Sequence, residues 1–407
     1  MHHAGALAVQ RLLGMPEPHD HRVACACGQQ ARYHETRRKQ LKTVLGPVVY
    51  DRAYYLCPNC HQGQSPRDQE LDVVGTECSP GVRRMMAAVG SETSFDNGRQ
   101  QLLLLAGLEF TAKAVERQAE AIGTDIVGRE QAKRDRVVQL EFPDILGTTV
   151  PVLYIEMDGT QLPMVHAELE GRAGRQGQPA RTREVKLGCV FTQTTTDAKG
   201  RPIRDAASTT YTGAIEPAEP FGRRLYTEVF ERGWDRAKKK VVLGDGAEWI
   251  WNIADQHFAG AIQIVDIWHA REHLWNLAAK LFPADEAQRK RWAKKLIQKL
   301  NRGKVENVAT ELRGYSTRKT ELRDALRIEA DYFERNRNRM RYPRFRKQGL
   351  FFGSGVIEAA CKTVIGSRLK QSGMFWTVRG ANAIIALRCN RLSGKFEDYW
   401  ASRSLAA

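Results

Sequence analysis

The sequence predicts a multidomain α/β protein, and three observations lead to this prediction. Between residues 148 and 282, apolar segments of strand length come first at hairpin spacing and then alternate with helical patterns. Four of the eight cysteines form two tight pairs near the N-terminus. Lysine and arginine are concentrated in residues 283–350, a helical segment that interrupts the core. We therefore expect an α/β core with a helical insertion, preceded by a metal-binding module and a helical domain.

The length and charge of the chain limit the classes of protein to which it can belong. A chain of 407 residues provides about two to four domains. The net charge of +16 favours a polyanionic partner such as DNA. Residues 287–350 alone hold 20 lysines and arginines against 7 acidic residues, a net charge of +13. No apolar run is long enough to cross a bilayer, and no signal-peptide pattern is present, so we expect a cytoplasmic protein without a membrane partner.

A cysteine-rich module at residues 21–75 follows a short helical leader at residues 1–20. Between its two cysteine pairs, residues 44–49 carry the Gly-Pro signal of a β-hairpin. Four thiolates that meet beside a hairpin suit one tetrahedral Zn²⁺ ion, and a module this small needs the metal to fold. The alternative is unrelated buried or redox cysteines. The expected zinc ligands of this zinc ribbon are Cys25, Cys27, Cys57 and Cys60.

Residues 76–130 show helical patterns without strands. One helix starts at Pro80, a second covers about residues 95–106, and Thr111 is placed to cap a third over residues 112–122. This order resembles a helix-turn-helix, in which Lys113 and Arg117 would face DNA. Any three-helix bundle would give the same pattern, which leaves that alternative open. The charged, irregular pattern of residues 129–147 predicts a linker.

The core pattern is strongest between residues 148 and 282. Three strands come at hairpin spacing, and two more alternate with helices, which gives the order βββαβαβα. This is the order of the ribonuclease H-like fold. After the basic insertion, residues 351–407 complete the core with helices. The expected strands are Val152–Asp158, Val185–Phe191, Ser208–Thr212, Lys240–Leu243 and Ala261–Val265.

Three acidic residues occupy informative positions. Asp158 and Asp245 each stand at the end of an expected strand, and Glu358 lies on a helix that can pack against the sheet. Phosphodiester cleavage through two divalent cations requires a few carboxylates around ions about 3.5–4 Å apart. Hard cations such as Mg²⁺ or Mn²⁺ take these oxygen ligands. We expect Asp158 to bridge two ions, with Asp245 and Glu358 each holding one.

Each acidic residue also has a simpler interpretation. Asp158 would start an Asp-Gly turn, Asp245 would cap the next helix with Glu248 completing a capping box, and Glu358 would be a solvated helix residue. Glu156, two residues before Asp158, is either an auxiliary ligand or an acidic neighbour. The three positions taken together, in this strand order, favour the metal site.

Asp266 and His269 follow the fifth expected strand at a strand-to-helix junction. They offer too few ligands for a zinc site. Two roles remain: they either orient a phosphate near the acidic residues or form structural hydrogen bonds.

Three blocks of sequence carry the most specific motifs: GDGAEWIWN (residues 244–252), VDIWHAREHLW (265–275) and GSGVIEAACKTVIGSRLKQSGMFW (353–376). They resemble the characteristic blocks of DDE transposases of bacterial insertion sequences, the Kra type, which are distant relatives of the Mutator-like transposases. The resemblance extends from the cysteine-rich module to the C-terminus, and the third block is the most specific.

The resemblance implies that Asp158, Asp245 and Glu358 are the catalytic triad. It matches Asp266 and His269 to the D-x-x-H element of the Mutator-like relatives and implies a helical insertion before the Glu358 helix. Further residues of the third block are then expected to contact DNA, with a core role as the alternative for the tryptophan. Besides the auxiliary Lys362, one helical turn after Glu358, these are Arg368, Lys370 and Trp376.

The expected function is DNA transposition. The zinc ribbon and the helical domain would bind the element ends, and the core would cleave DNA and join its 3′-hydroxyl to target DNA. Pairing two ends implies a homodimer or higher oligomer, associated with the nucleoid. The alternatives are a structure-specific nuclease on the same fold and a transposase-derived DNA-binding regulator without catalysis.

Overall fold

The computed structural model describes residues 2–15, 20–138, 148–174 and 178–406, and the chain divides into two compact units. The first unit consists of Met1–Ile126 and Gly394–Ala407, and the second of Val127–Ser393. No helix among the described residues is both long enough and apolar enough to cross a bilayer.

The first unit contains a four-stranded antiparallel sheet in the order β1-β2-β3-β4. Its two long strands form a hairpin with a two-residue loop, because Thr43 pairs with Gly46. The first helix packs on this hairpin through Ala6, Leu41 and Val48, which are buried together. The elements are α1 (His2–Leu13), β1 (Arg22–Ala24), β2 (Gln30–Thr43), β3 (Gly46–Leu56) and β4 (Gly63–Gln64).

Helices make up the rest of the first unit. Ser79, Ser94 and Thr111 each accept a backbone N–H three residues further on, which starts three of these helices as the cap residues predict. Gly107, at a φ of 63°, ends one of them in the left-handed conformation. The helices are α2 (Pro66–Glu70), α3 (Pro80–Glu92), α4 (Phe95–Ala106) and α5 (Ala112–Val138).

Helix α5 is longer than the sequence suggested. We expected it to end at Ile122, but it continues to Val138, across the boundary between the two units. Residues 123–138 contain no proline, and their polar composition suits an exposed helix as well as a linker. Residues 129–138 of the predicted linker are therefore helical, and residues 139–147 lie outside the described residues.

The last helix, α16 (Phe396–Ala406), belongs to the first unit. Arg403 forms ion pairs with Asp72 at 2.9 Å and with Asp125 at 2.8 Å. The sequence analysis placed residues 351–407 in the core. In the structure, residues 394–407 group with the N-terminal unit instead.

The second unit is built on a five-stranded mixed sheet in the order β11-β10-β5-β6-β9. Strands β5, β10 and β11 are parallel, whereas β6 is antiparallel to β5 and to β9. A separate two-stranded ladder joins β7 and β8. The strands are β5 (Val150–Pro163), β6 (Thr182–Gln193), β7 (Thr195–Thr196), β8 (Pro202–Ile203), β9 (Thr210–Ala214), β10 (Ala237–Gly244) and β11 (Ile262–Val265).

Helices surround this sheet, and its central strands are buried on both faces. Val241, Val242 and Leu243 of β10 are fully buried, as an apolar run on a parallel strand predicts. A π-helical turn at Cys361–Gly366 interrupts the helix that contains Glu358. The helices are α6 (Ala218–Glu231), α7 (Glu248–His257), α8 (Ile267–Leu281), α9 (Glu286–Asn301), α10 (Val305–Arg313), α11 (Thr320–Arg335), α12 (Tyr342–Lys347), α13 (Gly355–Ala360), α14 (Ser367–Leu369) and α15 (Val378–Leu392).

Candidate functional site

Four cysteines of the first unit form a metal-ligand cluster. Cys25 and Cys27 lie in the turn between β1 and β2, and Cys57 and Cys60 lie in the turn between β3 and β4. All four sulfur atoms lie within 4.8 Å of one another. A tetrahedral zinc ion with Zn–S bonds of about 2.3 Å places its sulfur ligands about 3.8 Å apart. The cluster is therefore compatible with a zinc site.

Backbone amides in these turns favour the thiolate form, which is the form that binds zinc. The N–H of Gln29 lowers the pKa of Cys27 to about 6, against the opposing effect of burial. The N–H of Cys60 likewise lowers the pKa of Cys57. The two turns thus supply donors to the sulfur atoms before any metal binds.

In the second unit, acidic residues gather at one edge of the sheet. The last pairs of β10 are Leu243 with Glu156 of β5 and Gly244 with Val265 of β11. If this register is continued, Asp245 lies level with Asp158, and Asp266 follows β11 at the same edge. On this continued register, one acidic residue lies at the same level in β5 and just after each of β10 and β11.

Asp158 lies inside a strand. We expected β5 to end at this residue, but β5 continues to Pro163 because β6 pairs with it beyond the end of β10. The Asp-Gly turn interpretation is therefore wrong. The Asp158 Oδ1 accepts the N–H of Gly159 at 2.7 Å, and its Oδ2 lies 3.4 Å from the thiol of Cys361.

Asp245 stands just before α7 without being its cap. The cap residue is Ala247, whose N–H donates to Asp245 Oδ1 at 2.8 Å, so the proposed capping box with Glu248 is wrong. The hydroxyl of Tyr332, from α11, donates to the backbone oxygen of Asp245 at 3.0 Å. The helical insertion thus contacts the end of β10 directly.

Glu358 lies on α13, which two buried acidic side chains fix against the sheet. Glu156 is fully buried and accepts the N–H of Ile357 at 2.8 Å, so it is a support for this helix and not an exposed ligand. Ser354 donates to Asp266, and its Oγ lies 3.3 Å from Glu358 Oε1. The Glu358 side chain itself is exposed.

The three candidate ligands lack ion-pair partners in the described part of the chain. Among the described residues, none of Asp158, Asp245 and Glu358 forms an ion pair with a basic side chain. Burial raises the pKa of Asp158, and the charges of Asp245 and Glu358 raise it further, against the hydrogen bonds from Gly159 and Cys361. Among the described residues, only the four cysteines bring three or more ligand atoms within 4.8 Å of one another, so the three carboxylates are spread more widely.

Asp266 and His269 have structural hydrogen bonds. Asp266 is fully buried, accepts the N–H groups of Trp268 and His269 as the cap of α8, and also accepts from Ser354. These bonds occupy its oxygen atoms, which favours the structural interpretation. His269 Nε2 lies 3.3 Å from His273 Nε2, and the His273 ring stacks on Tyr332 with centroids 4.1 Å apart.

The expected DNA contacts of the third block divide into buried and exposed residues. Arg368 and Trp376 are buried, and Trp376 Nε1 donates to the oxygen of Leu369 at 2.9 Å. Both belong to the core, which for Trp376 is the alternative that the sequence left open, and this burial argues against a DNA contact by Arg368. Lys362 and Lys370 are exposed, and Lys370 Nζ lies 2.5 Å from Thr160 Oγ1, two residues beyond Asp158.

In the helical domain, both predicted contact residues are exposed. Lys113 forms an ion pair with Glu116 at 2.7 Å, which partly neutralises it. Arg117 is exposed on the same helix, α5. The position of Arg117 therefore suits a phosphate contact better than that of Lys113.

Two residues that contact the candidate ligands, Ser354 and Tyr332, were not predicted from the sequence. Ser354 lies inside the third block, where its position four residues before Glu358 was a usable signal. Tyr332 gave no signal, because its contact with Asp245 joins residues 87 positions apart.

Replacing Glu156 by Gln should make stability less dependent on pH. The pKa of Glu156 is raised from 4.5 to about 8, and burial is the largest cause of this increase. The folded state therefore keeps a proton that the unfolded state loses, and stability present below about pH 4.5 is lost as the pH rises towards 8. Relative to the wild type, Glu156→Gln should gain on the order of a few kcal/mol between pH 5 and pH 9. Urea unfolding without added Mg²⁺ or Mn²⁺ measures this gain.

The exposed Glu170 provides the control, since Glu170→Gln should leave the pH dependence as it is. Parallel pH curves for wild type and Glu156→Gln would contradict a protonated Glu156.

Replacing Gly246 by Ala should destabilise the loop that holds Asp245. Gly246 has a φ of 105°, and an added Cβ would lie 2.7 Å from the ring of Tyr332. Gly260→Ala is the matched control, because its φ is 79° and no atom lies within 4 Å of an added Cβ. We expect Gly246→Ala to cost about 1–3 kcal/mol more than the control in the free energy of unfolding. Equal losses would mean that Tyr332 does not pack on this loop.

Comparison of the chain with protein-family models and with curated proteins gives no match. The fold and the two clusters define a mixed α/β protein with a four-cysteine metal-ligand cluster in one unit and an acidic sheet edge in the other.

Proposed function

We propose that the chain is a metal-dependent transposase of the insertion-sequence type, which cleaves DNA at element ends and joins the freed 3′-hydroxyl to target DNA. Two observations carry the proposal: the β10–β5 register, continued two residues past its last pair, brings Asp245 level with Asp158, and the charges of Asp245 and Glu358 both contribute to the raised pKa of Asp158. The topology supports a ribonuclease H-like core. Three antiparallel strands come first, the fourth then adds in parallel beside the first, and the fifth adds in parallel beside the fourth.

The donor set fits Mg²⁺ or Mn²⁺. Hard divalent cations prefer carboxylate oxygens, and here three carboxylates have no basic partner among the described residues. Two ions about 3.5–4 Å apart do not require all ligands to meet at one point, which agrees with the wider spacing of the carboxylates. When bound, such ions would stabilise charge on the attacking and leaving oxygens of the phosphodiester.

Each residue of the proposed site would then have a separate role. Asp158, Asp245 and Glu358 would hold the cations, and the hydrogen bonds from Gly159 and Cys361 would orient the Asp158 carboxylate. Lys370 would neutralise a phosphate near Asp158, because its ammonium group lies beside Thr160 of β5.

The other parts of the chain would bind DNA. The zinc ribbon and helix α5, with Arg117 exposed, would contact the element ends. The insertion, residues 283–350, would hold phosphates, since residues 287–350 carry a net charge of +13. Joining two ends in one reaction implies an oligomer on DNA.

A strand-transfer assay tests the proposal. The protein is given a duplex of its element end with a pre-cut 3′-hydroxyl, together with target plasmid and Mg²⁺. We expect plasmid products joined to the oligonucleotide. Hydrolysis without joined products would identify a nuclease on the same fold, and binding without either reaction would identify a DNA-binding regulator.

A further inference from the structure

A cavity of about 460 Å³ lies between α8 and α9, and two tryptophans contribute to its wall. Trp268 and Trp275 both come from α8 and are seven residues apart, so they lie on the same helical face about two turns apart. Trp268 is 65% exposed, although aromatic side chains of this size are usually well covered. Its ring is therefore available to a ligand.

Cations surround this aromatic surface. The Arg271 guanidinium lies 4.6 Å from the centre of the Trp268 ring, and its Nη2 donates to Asn301 Oδ1 at 2.8 Å. Lys294 is exposed at the opposite wall and forms no ion pair among the described residues. One carboxylate, that of Glu272, also lines the cavity, 3.9 Å from His269. Flat rings with adjacent cations suit a nucleobase and its phosphate.

The cavity adjoins the acidic sheet edge. The backbone N–H of Trp268 donates to Asp266, the residue that follows β11. A Cβ added to Gly353 would lie 3.1 Å from Trp268 Nε1, so the indole lies against the backbone that leads into Ser354 and Glu358. A nucleotide in this cavity would therefore be next to the nucleotide that the carboxylates act on.

We propose that this cavity binds an unpaired nucleotide of the DNA next to the cleavage position. Its base stacks on Trp268, and Arg271 and Lys294 neutralise its phosphates. Bases inside a duplex are stacked on both faces, so a base must leave the stack to lie on the indole in this cavity, and frayed or single-stranded ends provide such bases. The inference rests on the proposed function for the identity of the ligand, whereas the binding itself requires no catalysis.

Fluorescence binding with the full chain, without chelator and without added Mg²⁺ or Mn²⁺, tests the proposal. One probe is a duplex with a three-nucleotide single-stranded end that carries 2-aminopurine, and the other is the blunt duplex of the same sequence. For the single-stranded end, Trp268→Ala should weaken binding roughly 5- to 150-fold, the value of one base stacked on an aromatic ring. Binding of the blunt duplex should not change. Trp268→Phe should keep most of the affinity, because phenylalanine also stacks.

Ile203→Ala is the control, since Ile203 is an exposed apolar residue in a different ladder and should leave both affinities unchanged. Equal binding of the single-stranded end by wild type and Trp268→Ala would overturn the proposal, as would an equal loss for both probes. Asp245→Asn separates this inference from the proposed function. If Asp245→Asn abolishes cleavage and keeps Trp268-dependent binding, both stand, whereas such binding by a wild type that never cleaves supports the cavity alone.

Discussion

Replacing Asp245 by Asn is expected to lower the rate of Mg²⁺-dependent DNA cleavage on the order of 10³-fold, because a lost metal ligand removes several kcal/mol of transition-state stabilisation. The fold should remain intact. An asparagine oxygen can still accept the N–H of Ala247, and Tyr332 bonds only the backbone of this residue. Cleavage rates at saturating DNA, together with thermal melting of each variant, measure the effect.

Asp235→Asn is the matched control, because Asp235 is exposed just before the opposite end of the same strand, β10. The control should cleave at the wild-type rate. Asp158→Asn and Glu358→Gln should match the loss of Asp245→Asn, since the proposed site requires all three carboxylates. Cleavage at the wild-type rate by any of these three variants would remove that residue from the site.

Replacing Cys57 by Ser is expected to remove zinc from the protein and to unfold the small sheet that carries the cysteines. The four sulfur atoms lie within 4.8 Å of one another, so one lost ligand opens the whole cluster. Structural zinc contributes about 10–16 kcal/mol to the folding of small modules. Atomic absorption should give about one zinc ion per wild-type chain and close to none for the variant.

Cys78→Ser is the control for this prediction, because Cys78 is a buried cysteine of the helical core and not a member of the cluster. It should lose some stability and keep its zinc. Full zinc content in Cys57→Ser would contradict the zinc site, as would unchanged folding of the metal-free wild type.

Five strands of the second unit could be predicted, four because each contains an apolar run and β9 because its threonines and tyrosine favour strands. Their ends could not. Strand β5 extends beyond Asp158 because β6 continues to pair with it, and a partner strand is not visible in the pattern of one strand. The same limit applies to α16, whose place in the first unit depends on Arg403 and residues such as Asp72, 331 positions away.

The sheet edge could be located from the sequence, since the carboxyl ends of neighbouring parallel strands must meet. The residues around that edge were harder to predict from the sequence. We expected Arg368 and Trp376 to contact DNA because charge and aromatic character are typical of DNA-binding surfaces. In the structure, Arg368 lies 5.3 Å from the ring centre of Trp376, inside the core. The burial of a charged side chain depends on its tertiary neighbours, and periodicity does not encode them.

The most direct test of the central claim is to map the products formed when the protein acts on the DNA that flanks its own gene. Incubation with Mg²⁺ and a target plasmid, followed by sequencing across the new junctions, identifies every strand that was joined. The account predicts junctions at two defined ends of the flanking DNA, which disappear in Asp158→Asn, Asp245→Asn and Glu358→Gln. Junctions that persist in these variants, or an active wild-type protein that yields cut strands and no junctions, would contradict it.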